Sequence, residues 1–557
     1  MPQTIKVYLK DGSSLLVKKG TPLIDIAKKV IKNPRHPILG AIVNNKIHDL
    51  WEEPTDNSQV IFIDHTNPDG YRILTRGFTM VLVKAARDLF PDRRIKVLHS
   101  LSKGLFCRWS NGIPMNRETL KKLKKRMDEI IKTGLKFERT KMDKDEALEL
   151  FKKEELPDKS KLLKFRRKKT MKVYTLEGYT DYFFGRLPPS TDVLGKFELR
   201  FYSPGLILRF PTPDYPDQLP PYHEQTKVAK IYSEYKKWIE IMEVSDIASL
   251  NNIIMNGEIN DLIRVAEALH EKKIARIADE IAKHREEIKL ILIAGPSSSG
   301  KTTFAQRLRV QLIVNGFRPI TVSLDDYFVD KDKTPLDEDG NFDFDHIDAI
   351  DIALFNEHLQ MLMMEKEVFI PRFDFKLGRR IPDHKKLRLS PKNVLMVEGI
   401  HGLNKKLSES VPPENKFKIY VSALTALNLD NHNRIPTTDT RIIRRIVRDS
   451  RFRNHTAMET IYQWPSVRRG EENFIFPFQE EADVMFNSAL IYELAVLKSF
   501  VEPLLRKIPP TEPAFAEAKR LLSFTDNFLE IGTDEIPPNS ILREFIGATC
   551  FFKMEVV

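Results

Sequence analysis

The stretch Lys289-Leu-Ile-Leu-Ile-Ala-Gly-Pro-Ser-Ser-Ser-Gly-Lys-Thr-Thr303 joins a short apolar run to a glycine- and serine-rich segment. It fits the pattern G-x-x-x-x-G-K-[ST], in which the backbone N–H groups of a loop surround the phosphates of a nucleotide. The apolar run, residues 290–294, has the composition of a buried parallel strand. Residues 303–316 follow with apolar side chains at helical spacing and a final glycine. The order strand, loop, helix therefore predicts a P-loop that binds a nucleoside triphosphate.

The predicted donor site consists of the loop and the first helical turn. We expect Lys301 to reach the β and γ phosphates and Thr302 to bind Mg²⁺ through its hydroxyl. The other expected contacts to ATP come from Gly295, Ser297, Ser298, Ser299, Gly300 and Thr303. ATP and Mg²⁺ are thus the predicted cofactors.

Composition narrows the class of protein. A chain of 557 residues is long enough for three or four domains, and its 41% hydrophobic and 30% charged residues are ordinary for a soluble protein. The two cysteines, Cys107 and Cys550, cannot form a disulfide framework, which favours a reducing compartment. The first residues lack an apolar signal core, and no stretch is apolar enough to span a bilayer. We expect a cytoplasmic protein without membrane association; its oligomeric state stays open.

The net charge of +11 is concentrated in two basic runs, residues 121–126 and 161–169. Runs of this kind can contact RNA. They are more often solvated helix faces or lysine-rich linkers. RNA contact through the basic N-terminal half is therefore an open expectation.

Four segments follow from the pattern of elements. Residues 1–65 show the order β-β-α-β-β with a hairpin turn at Asp11-Gly12, which predicts a β-grasp domain. Residues 66–215 predict an α+β domain, and residues 216–285 a helical connector. Residues 286–557 alternate strands with helices, as in a parallel sheet covered on both faces. The predicted fold class is α/β multidomain: a P-loop domain with a parallel sheet, preceded by the β-grasp and α+β domains.

Acidic residues follow two predicted strands of the C-terminal segment. Asp325 follows strand 319–324, where a carboxylate can accept the proton of an acceptor hydroxyl or hold the metal. Asp326 would take this place only in a shifted register. Glu398 ends strand 394–398 and is the second expected carboxylate on the magnesium side. A turn or helix cap is the structural alternative for these acids.

Two further segments contain side chains suited to a phosphorylated or polyol ligand. Residues 342–348 interleave aromatic rings with Asp345, His346 and other polar residues, which suits a ribose and a base, or else an acidic surface loop. Residues 440–453 place arginines on one helix face and apolar residues on the opposite one. The arginines are Arg441, Arg444, Arg445, Arg448 and Arg451. We expect this face to bind an anion, with a salt-bridged face as the alternative.

The two N-terminal segments resemble known modules. Residues 1–65 are similar to the TGS domain of threonyl-tRNA synthetases and some GTPases. The order of elements in 66–215 resembles the second N-terminal domain of those synthetases, in which paired histidines and a cysteine form an editing pocket. Here Tyr71 and Thr75 stand at the place of the histidine pair. The resemblance therefore implies a scaffold without editing chemistry, in which His99 and Cys107 are structural.

The C-terminal motifs resemble the uridine kinase/phosphoribulokinase family over most of residues 288–490. They are the P-loop, Ser323-Leu-Asp-Asp-Tyr-Phe328, Phe342-Asp-Phe-Asp-His-Ile-Asp348, Val397-Glu-Gly-Ile400 and Asp439-Thr-Arg-Ile-Ile-Arg-Arg-Ile-Val-Arg448. The whole arrangement is similar to TGS-containing uridine kinase-like proteins.

The resemblance implies roles for individual residues. Asp325 matches the family's catalytic acid, and Asp345 matches a ligand of the ribose hydroxyls. Arg445 and Arg448 match arginines of the lid helix, and Phe373 stands at a base-stacking aromatic position. The chain departs from the family at Leu377-Gly-Arg379 and near His455, where uridine kinases read the pyrimidine.

We therefore predict ATP-dependent phosphorylation of a nucleoside 5′-hydroxyl, with the base left open. The alternatives are a sugar-phosphate kinase of the phosphoribulokinase type and an RNA- or ribosome-associated ATP-binding regulator.

Overall fold

A computed structural model describes residues 4–338, 340–374, 377–425 and 427–553, and only the backbone of Asp383. The chain forms a small N-terminal sheet, a second α+β region, a group of helices and a C-terminal parallel sheet covered by helices on both faces. This confirms the predicted fold class.

The N-terminal sheet has the β-grasp arrangement. Its strand order is β2-β1-β5-β3-β4, with β1 and β5 parallel. The elements are β1 Thr4–Leu9, β2 Ser14–Lys18, α1 Leu23–Val30, β3 Gly40–Val43, β4 Lys46–His48 and β5 Ser58–Ile63. The predicted order β-β-α-β-β has one strand fewer than the structure. The strand predicted directly after the helix is divided into β3 and β4, because Asn44 and Asn45 both have positive φ (47° and 56°) and form a hairpin turn.

The second region contains two antiparallel sheets, ordered β11-β12-β7-β6 and β10-β9-β8. Its elements are α2 Pro68–Leu89, β6 Ile95–Leu101, β7 Gly104–Trp109, α3 Arg117–Thr133, β8 Glu138–Asp143, α4 Lys144–Lys153, α5 Pro157–Lys164, β9 Thr170–Leu176, β10 Tyr179–Asp181, β11 Glu198–Tyr202 and β12 Gly205–Arg209. His99 stacks on Tyr232 with ring centroids 3.8 Å apart, and Cys107 is fully buried. Both side chains therefore serve packing.

Three helices connect this region to the parallel sheet: α6 Thr226–Met242, α7 Ile247–Met255 and α8 Ile259–Ala282. Helix α8 lies against α9 of the C-terminal region. Among the described residues, none of the helices has the length and apolar character needed to cross a membrane.

The C-terminal sheet is entirely parallel, with strand order β14-β17-β13-β18-β19. Its strands and helices are β13 Leu290–Ala294, α9 Lys301–Val314, β14 Arg318–Ser323, α10 Ile352–Met363, the hairpin β15 Val368–Asp374 and β16 Arg379–Leu387, β17 Asn393–Glu398, β18 Lys416–Ser422, α11 Thr437–Phe452, α12 Ala457–Phe474, β19 Val484–Asn487, α13 Glu493–Arg506, α14 Phe515–Thr525 and α15 Arg543–Ile546. Strand β13 lies at the centre, and its five residues are buried. The segment that follows β13 therefore lies at the middle of the sheet's carboxyl edge, where ligands bind in open parallel sheets.

A buried ionic cluster joins the second region to the loop that precedes α11. Lys159, only 1% exposed, donates to Asp430 at 2.9 Å and lies 3.0 Å from Asp181. His432 contacts the other oxygen of Asp181 at 2.6 Å. Burial alone would lower the pKa of Lys159, but the Asp181 and Asp430 carboxylates raise it. The ammonium group is therefore held charged between two carboxylates.

A second ionic chain reaches the start of α11 from the N-terminal half. Arg72 on α2 donates to Glu517 on α14 at 3.1 Å, and Arg520 on α14 donates to both oxygens of Asp439 at 2.7 and 2.9 Å. Asp439 lies in the first turn of α11. Helix α11 is thus tied at its amino end to the N-terminal half.

Replacing Lys159 with alanine is expected to destabilise the chain by about 3–5 kcal/mol, because two buried carboxylates lose their counter-charge. Thermal melting of Lys159→Ala measures this, with Lys161→Ala, at an exposed position on the same helix, as control. Equal melting temperatures for the two variants would show that the cluster does not hold the regions together.

Candidate active site

The segment after β13 adopts the conformation of an anion-binding loop. Ser298 and Gly300 have φ values of 58° and 82°, and such left-handed residues turn successive N–H groups toward one concave side. Glycine is required at both ends of the loop. A Cβ on Gly295 would lie 1.9 Å from the carbonyl oxygen of Val421, and one on Gly300 would lie 2.5 Å from Ile541. The predicted P-loop is therefore present at the predicted residues.

The carbonyl groups of this loop are held from behind. Arg441 donates to the carbonyl of Ser297 at 3.0 Å, and Arg444 donates to that of Ser298 at 3.4 Å. The Ser488 hydroxyl donates to the carbonyl of Ser299. Because these carbonyls are engaged on the outer side, the loop N–H groups other than that of Ser297, which donates to Glu471, are left for its concave side. The loop is thereby shaped for an anion.

The expectation of an anion-binding face on α11 is wrong for two arginines. Arg441 and Arg444 are 1% and 0% exposed and form ion pairs with Glu471 and Glu493 of the same chain. Glu471 is fully buried, and Arg441 and Arg468 hold its pKa below the usual value even though burial acts the other way. These arginines buttress the loop, since their charges are neutralised before any ligand binds.

The next two arginines of α11 approach the loop more openly. Arg445 donates to the hydroxyl of Ser297 at 2.8 Å and lies 3.2 Å from Asp449. Arg448 pairs with Asp449 at 2.7 Å and lies close enough to lower the pKa of Lys301. Arg451 instead packs over the ring of Phe500 at 5.2 Å. Arg445 and Arg448 are thus the arginines of α11 that lie near the P-loop without a buried ion pair to a glutamate.

The loop offers unsatisfied polar groups that fit a phosphate. The hydroxyl groups of Ser298 and Ser299 are buried and have no hydrogen-bond partner. Buried hydroxyls without partners are costly unless a ligand completes them. Lys301 returns to the loop and donates to the carbonyl of Pro296 at 3.2 Å. The residues of the loop therefore fit the phosphates of a nucleoside triphosphate.

Two carboxylates meet Lys301 at the carboxyl ends of β14 and β17. Burial and the neighbouring Asp325 raise the pKa of Glu398 to about 7, and Lys301 acts against this rise. Glu398 also accepts from the Ser323 hydroxyl at 3.1 Å. Asp326 lies on the other side, near Arg372 and the β15–β16 hairpin. Asp325, not its neighbour, therefore faces the P-loop.

This pair of acids suits a magnesium ion. Among the described residues, no group of three or more His, Cys, Asp or Glu side chains converges as a complete ligand set. Mg²⁺ needs no such set, because it keeps several waters and binds through one or two carboxylates and phosphate oxygens. Asp325, Glu398 and the Thr302 hydroxyl match this requirement, and a divalent ion would offset the negative charge of the two carboxylates.

Asp345 completes the opposite wall of the site. Burial raises the pKa of Asp345 to about 7, while Arg445 and Lys301 act to lower it and Glu471 acts to raise it. These neighbours place the Asp345 carboxylate between the P-loop lysine and the arginines of α11. The structure thus brings together the predicted residues Lys301, Asp325, Asp345, Glu398 and Arg445.

Three aromatic rings pack together beside Asp326, and two of them, Phe328 and the predicted base-stacking Phe373, are buried in the core. Phe328 lies between Phe344 and Phe373, with ring centroids 6.1 and 5.5 Å away. His346 has a structural task, because its Nδ1 accepts from the backbone N–H of Asp348 at 3.1 Å and its ring packs against Phe474 at 4.5 Å. Of the two ring nitrogens of His346, only the second remains for the predicted contact with the substrate.

Three glutamates at the site were missed by the sequence analysis: Glu471, Glu493 and Glu544. Their partners are 30, 49 and 241 residues away along the chain. No local spacing rule connects such residues. The one indication in the sequence was the excess of arginines on α11. Their charges had to be balanced either by acidic residues elsewhere in the chain or by an anionic ligand.

The C-terminal half of the chain is similar to proteins of one known family. The profile of the phosphoribulokinase/uridine kinase family matches residues 290–493. Uridine kinase of Bacillus pumilus is 32% identical over 197 residues, which cover 35% of this chain and 84% of that protein. The chain belongs to the phosphoribulokinase/uridine kinase family. The match includes every element that contributes Lys301, Asp325, Asp345, Glu398 and Arg445.

The N-terminal half is similar to other proteins. Threonine–tRNA ligase of Clostridium kluyveri is 28% identical over 160 residues, 29% of this chain. The chain spans only 25% of the length of that ligase. Among solved structures, one described as a possible uridine kinase from Bacillus stearothermophilus is 19% identical, with a TM-score of 0.26 and 38% coverage of this chain.

The raised pKa of Asp345 predicts a pH-dependent difference between the chain and its Asp345→Asn variant. The folded state raises this pKa from 3.8 to about 7, so the stability that the bound proton contributes is complete at low pH and is lost as the pH rises through 7. Asp345→Asn should melt close to the unmodified chain at about pH 4 and several degrees higher at about pH 8.

Melting curves at both pH values measure this difference. The exposed Asp332→Asn is the control, for which no pH-dependent gain is expected. If Asp345→Asn melts like the unmodified chain at both pH values, the Asp345 carboxyl is not held in a desolvated site.

Proposed function

We propose that the chain transfers the γ-phosphoryl group of ATP to the 5′-hydroxyl of a nucleoside. The observation that supports this most is the convergence of three partly buried carboxylates, those of Asp325, Asp345 and Glu398, with the P-loop lysine and Arg445. Family membership supports kinase chemistry, and the arrangement adds side chains on the acceptor side of the phosphates. A nucleotide-binding switch would have no need of these groups.

Each residue then has a defined task. Asp325 orients the acceptor hydroxyl and accepts its proton as the new O–P bond forms. Lys301, Arg445 and Arg448 stabilise the negative charge on the transferred group. Magnesium, when bound, would neutralise negative charge on the phosphates. Thr302 and Glu398 hold the metal side of the site, and the loop N–H groups fix the ATP.

The acceptor side favours a nucleoside over a sugar phosphate. The partly buried Phe344 ring, which packs on the buried Phe328, offers apolar surface for a base, and Asp345 can accept hydrogen bonds from paired ribose hydroxyls. A phosphorylated sugar would need an unpaired cation there. Of the arginines on the adjoining hairpin, Arg380 is paired with Asp351 at 2.7 Å, and Arg372 lies near Asp326.

Asp325→Asn should reduce acceptor-dependent ADP formation about 100-fold or more while leaving ATP affinity unchanged, because amide nitrogen cannot accept the proton. ADP formation is measured over a panel of nucleosides and sugar phosphates. Asp326→Asn is the matched control and should keep most of its turnover. Equal losses in both variants, or full activity in Asp325→Asn, would remove Asp325 from this role. Turnover with sugar phosphates alone would favour the phosphoribulokinase-type alternative.

A second function, RNA association, is favoured by a cationic cluster that we call the basic junction. It consists of Lys46, Arg139, Lys168, Lys172, Arg186 and Lys519. Partial burial, with Arg186 and Arg139, lowers the pKa of Lys172 to about 8, although Glu52 acts the other way. The nearby acids, Asp49, Glu52 and Asp526, are fewer than the six cations of the cluster. A polyanion such as the RNA backbone would supply the missing charge.

Lys172→Glu/Lys519→Glu should weaken binding of a labelled mixed-sequence RNA about tenfold or more and reduce its salt dependence, because phosphate contacts are lost. Fluorescence anisotropy at several salt concentrations measures both effects. Lys272→Glu/Lys366→Glu changes the same charge at exposed positions outside the junction and is the control. Equal weakening in both double variants would indicate only general attraction.

A further inference from the structure

Residues 538–547, near the end of the described chain, lie against the P-loop. Ile541 is fully buried and meets Gly300, where an added Cβ would be 2.5 Å from its methyl group. Phe545 is also fully buried and lies under the Arg444 guanidinium, 4.9 Å from ring centroid to the charge centre. The segment is therefore anchored beside the first turn of α9.

Glu544 projects from this segment onto donors of the P-loop. One of its oxygens, Oε2, accepts from the backbone N–H of Thr303 at 3.1 Å and from the Thr303 hydroxyl at 2.9 Å. Glu544 is 8% exposed, and its charge acts to raise the pKa of Lys301. The carboxylate thus occupies the positive end of α9 and lies close to the lysine that serves the phosphates.

The donors that Glu544 takes are ones a triphosphate needs. In a P-loop, the N–H groups of the loop and the first helical turn surround the phosphates, and Thr303 is the third residue of that turn. One hydrogen atom on the backbone nitrogen and one on the hydroxyl cannot serve a carboxylate and a phosphate oxygen at full strength together. The two anions also repel each other, and the burial of Glu544 strengthens that repulsion.

A second carboxylate, that of Glu471, also accepts a hydrogen bond from a backbone N–H of the loop, on its other side. Glu471 accepts from the backbone N–H of Ser297 at 3.2 Å. It differs from Glu544 in its surroundings, because Arg441 and Arg468 both pair with it. Glu471 is thus neutralised by arginines of its own. Among the described residues, no ion pair of Glu544 is found, so its charge is left to act on the site, where it influences Lys301 and Glu398.

We infer that Glu544 is an internal competitor of the nucleotide and sets the affinity of the donor site through its hold on Thr303. Nucleotide binding then requires the Glu544 side chain to leave Thr303, and residues 538–547 regulate access to the P-loop. The inference rests on the proposed donor site and adds an inhibitory contact to it.

The test measures the Kd of ADP and ATP, with magnesium, for the full chain by calorimetry in the absence of any acceptor. Glu544→Gln keeps the shape but loses the charge, and Glu544→Ala removes the competing acceptor. We expect the Kd to fall in the order unmodified chain, Glu544→Gln, Glu544→Ala, with about a tenfold total decrease, the scale of one charge-assisted hydrogen bond. Glu535→Gln is the control, because Glu535 pairs with Arg264 at 3.0 Å on the surface.

The outcomes separate this inference from the proposed function. If the unmodified chain binds nucleotide, and Lys301→Ala abolishes binding, the donor site stands. An unchanged or higher Kd in both folded Glu544 variants, verified by melting curves, then overturns the competition. If neither the unmodified chain nor the Glu544 variants bind nucleotide, the donor site itself fails and the competition fails with it.

Discussion

The site depends on two buried arginine–glutamate pairs behind the P-loop. Arg441 with Glu471 and Arg444 with Glu493 bind the carbonyl side of the loop and leave its N–H groups facing inward. A buried ion pair contributes little net stability, but losing one partner leaves a charge without compensation. The pairs therefore act chiefly on geometry: they fix a loop whose orphaned hydroxyls and left-handed residues have a cost that a bound phosphate offsets.

The same helix connects the site to the N-terminal half. Helix α11 contributes Arg441 and Arg445 to the P-loop, while Asp439 in its first turn is bound by Arg520 of α14. The loop before α11 ends in the cluster around Lys159. A partner bound to the N-terminal half therefore contacts a structure that is packed against the amino end of the arginine-bearing helix. The synthetase-like half is in this way part of the support of the kinase site.

The sequence predicted what short-range patterns encode. Strand β13, the P-loop and helix α8 lie at the expected residues, because burial and helical periodicity are local properties. The sequence also indicated Asp325 and Glu398, since acids at the ends of parallel strands converge in any such sheet. It could not separate Arg441 from Arg445: both lie on one helix face, and only long-range contacts decide that the first meets Glu471 and the second meets the loop. The contact of Glu544 with the P-loop could not be predicted for the same reason.

The central claim is that the P-loop and the acids opposite it form one phosphoryl-transfer site. Its most direct test is to incubate the full chain with γ-labelled ATP, Mg²⁺ and a mixture of nucleosides, and to identify the labelled product by mass spectrometry. The account predicts label on the 5′-hydroxyl of one nucleoside, with ADP formed in equal amount. Label found only in inorganic phosphate, whatever acceptor is present, would contradict it.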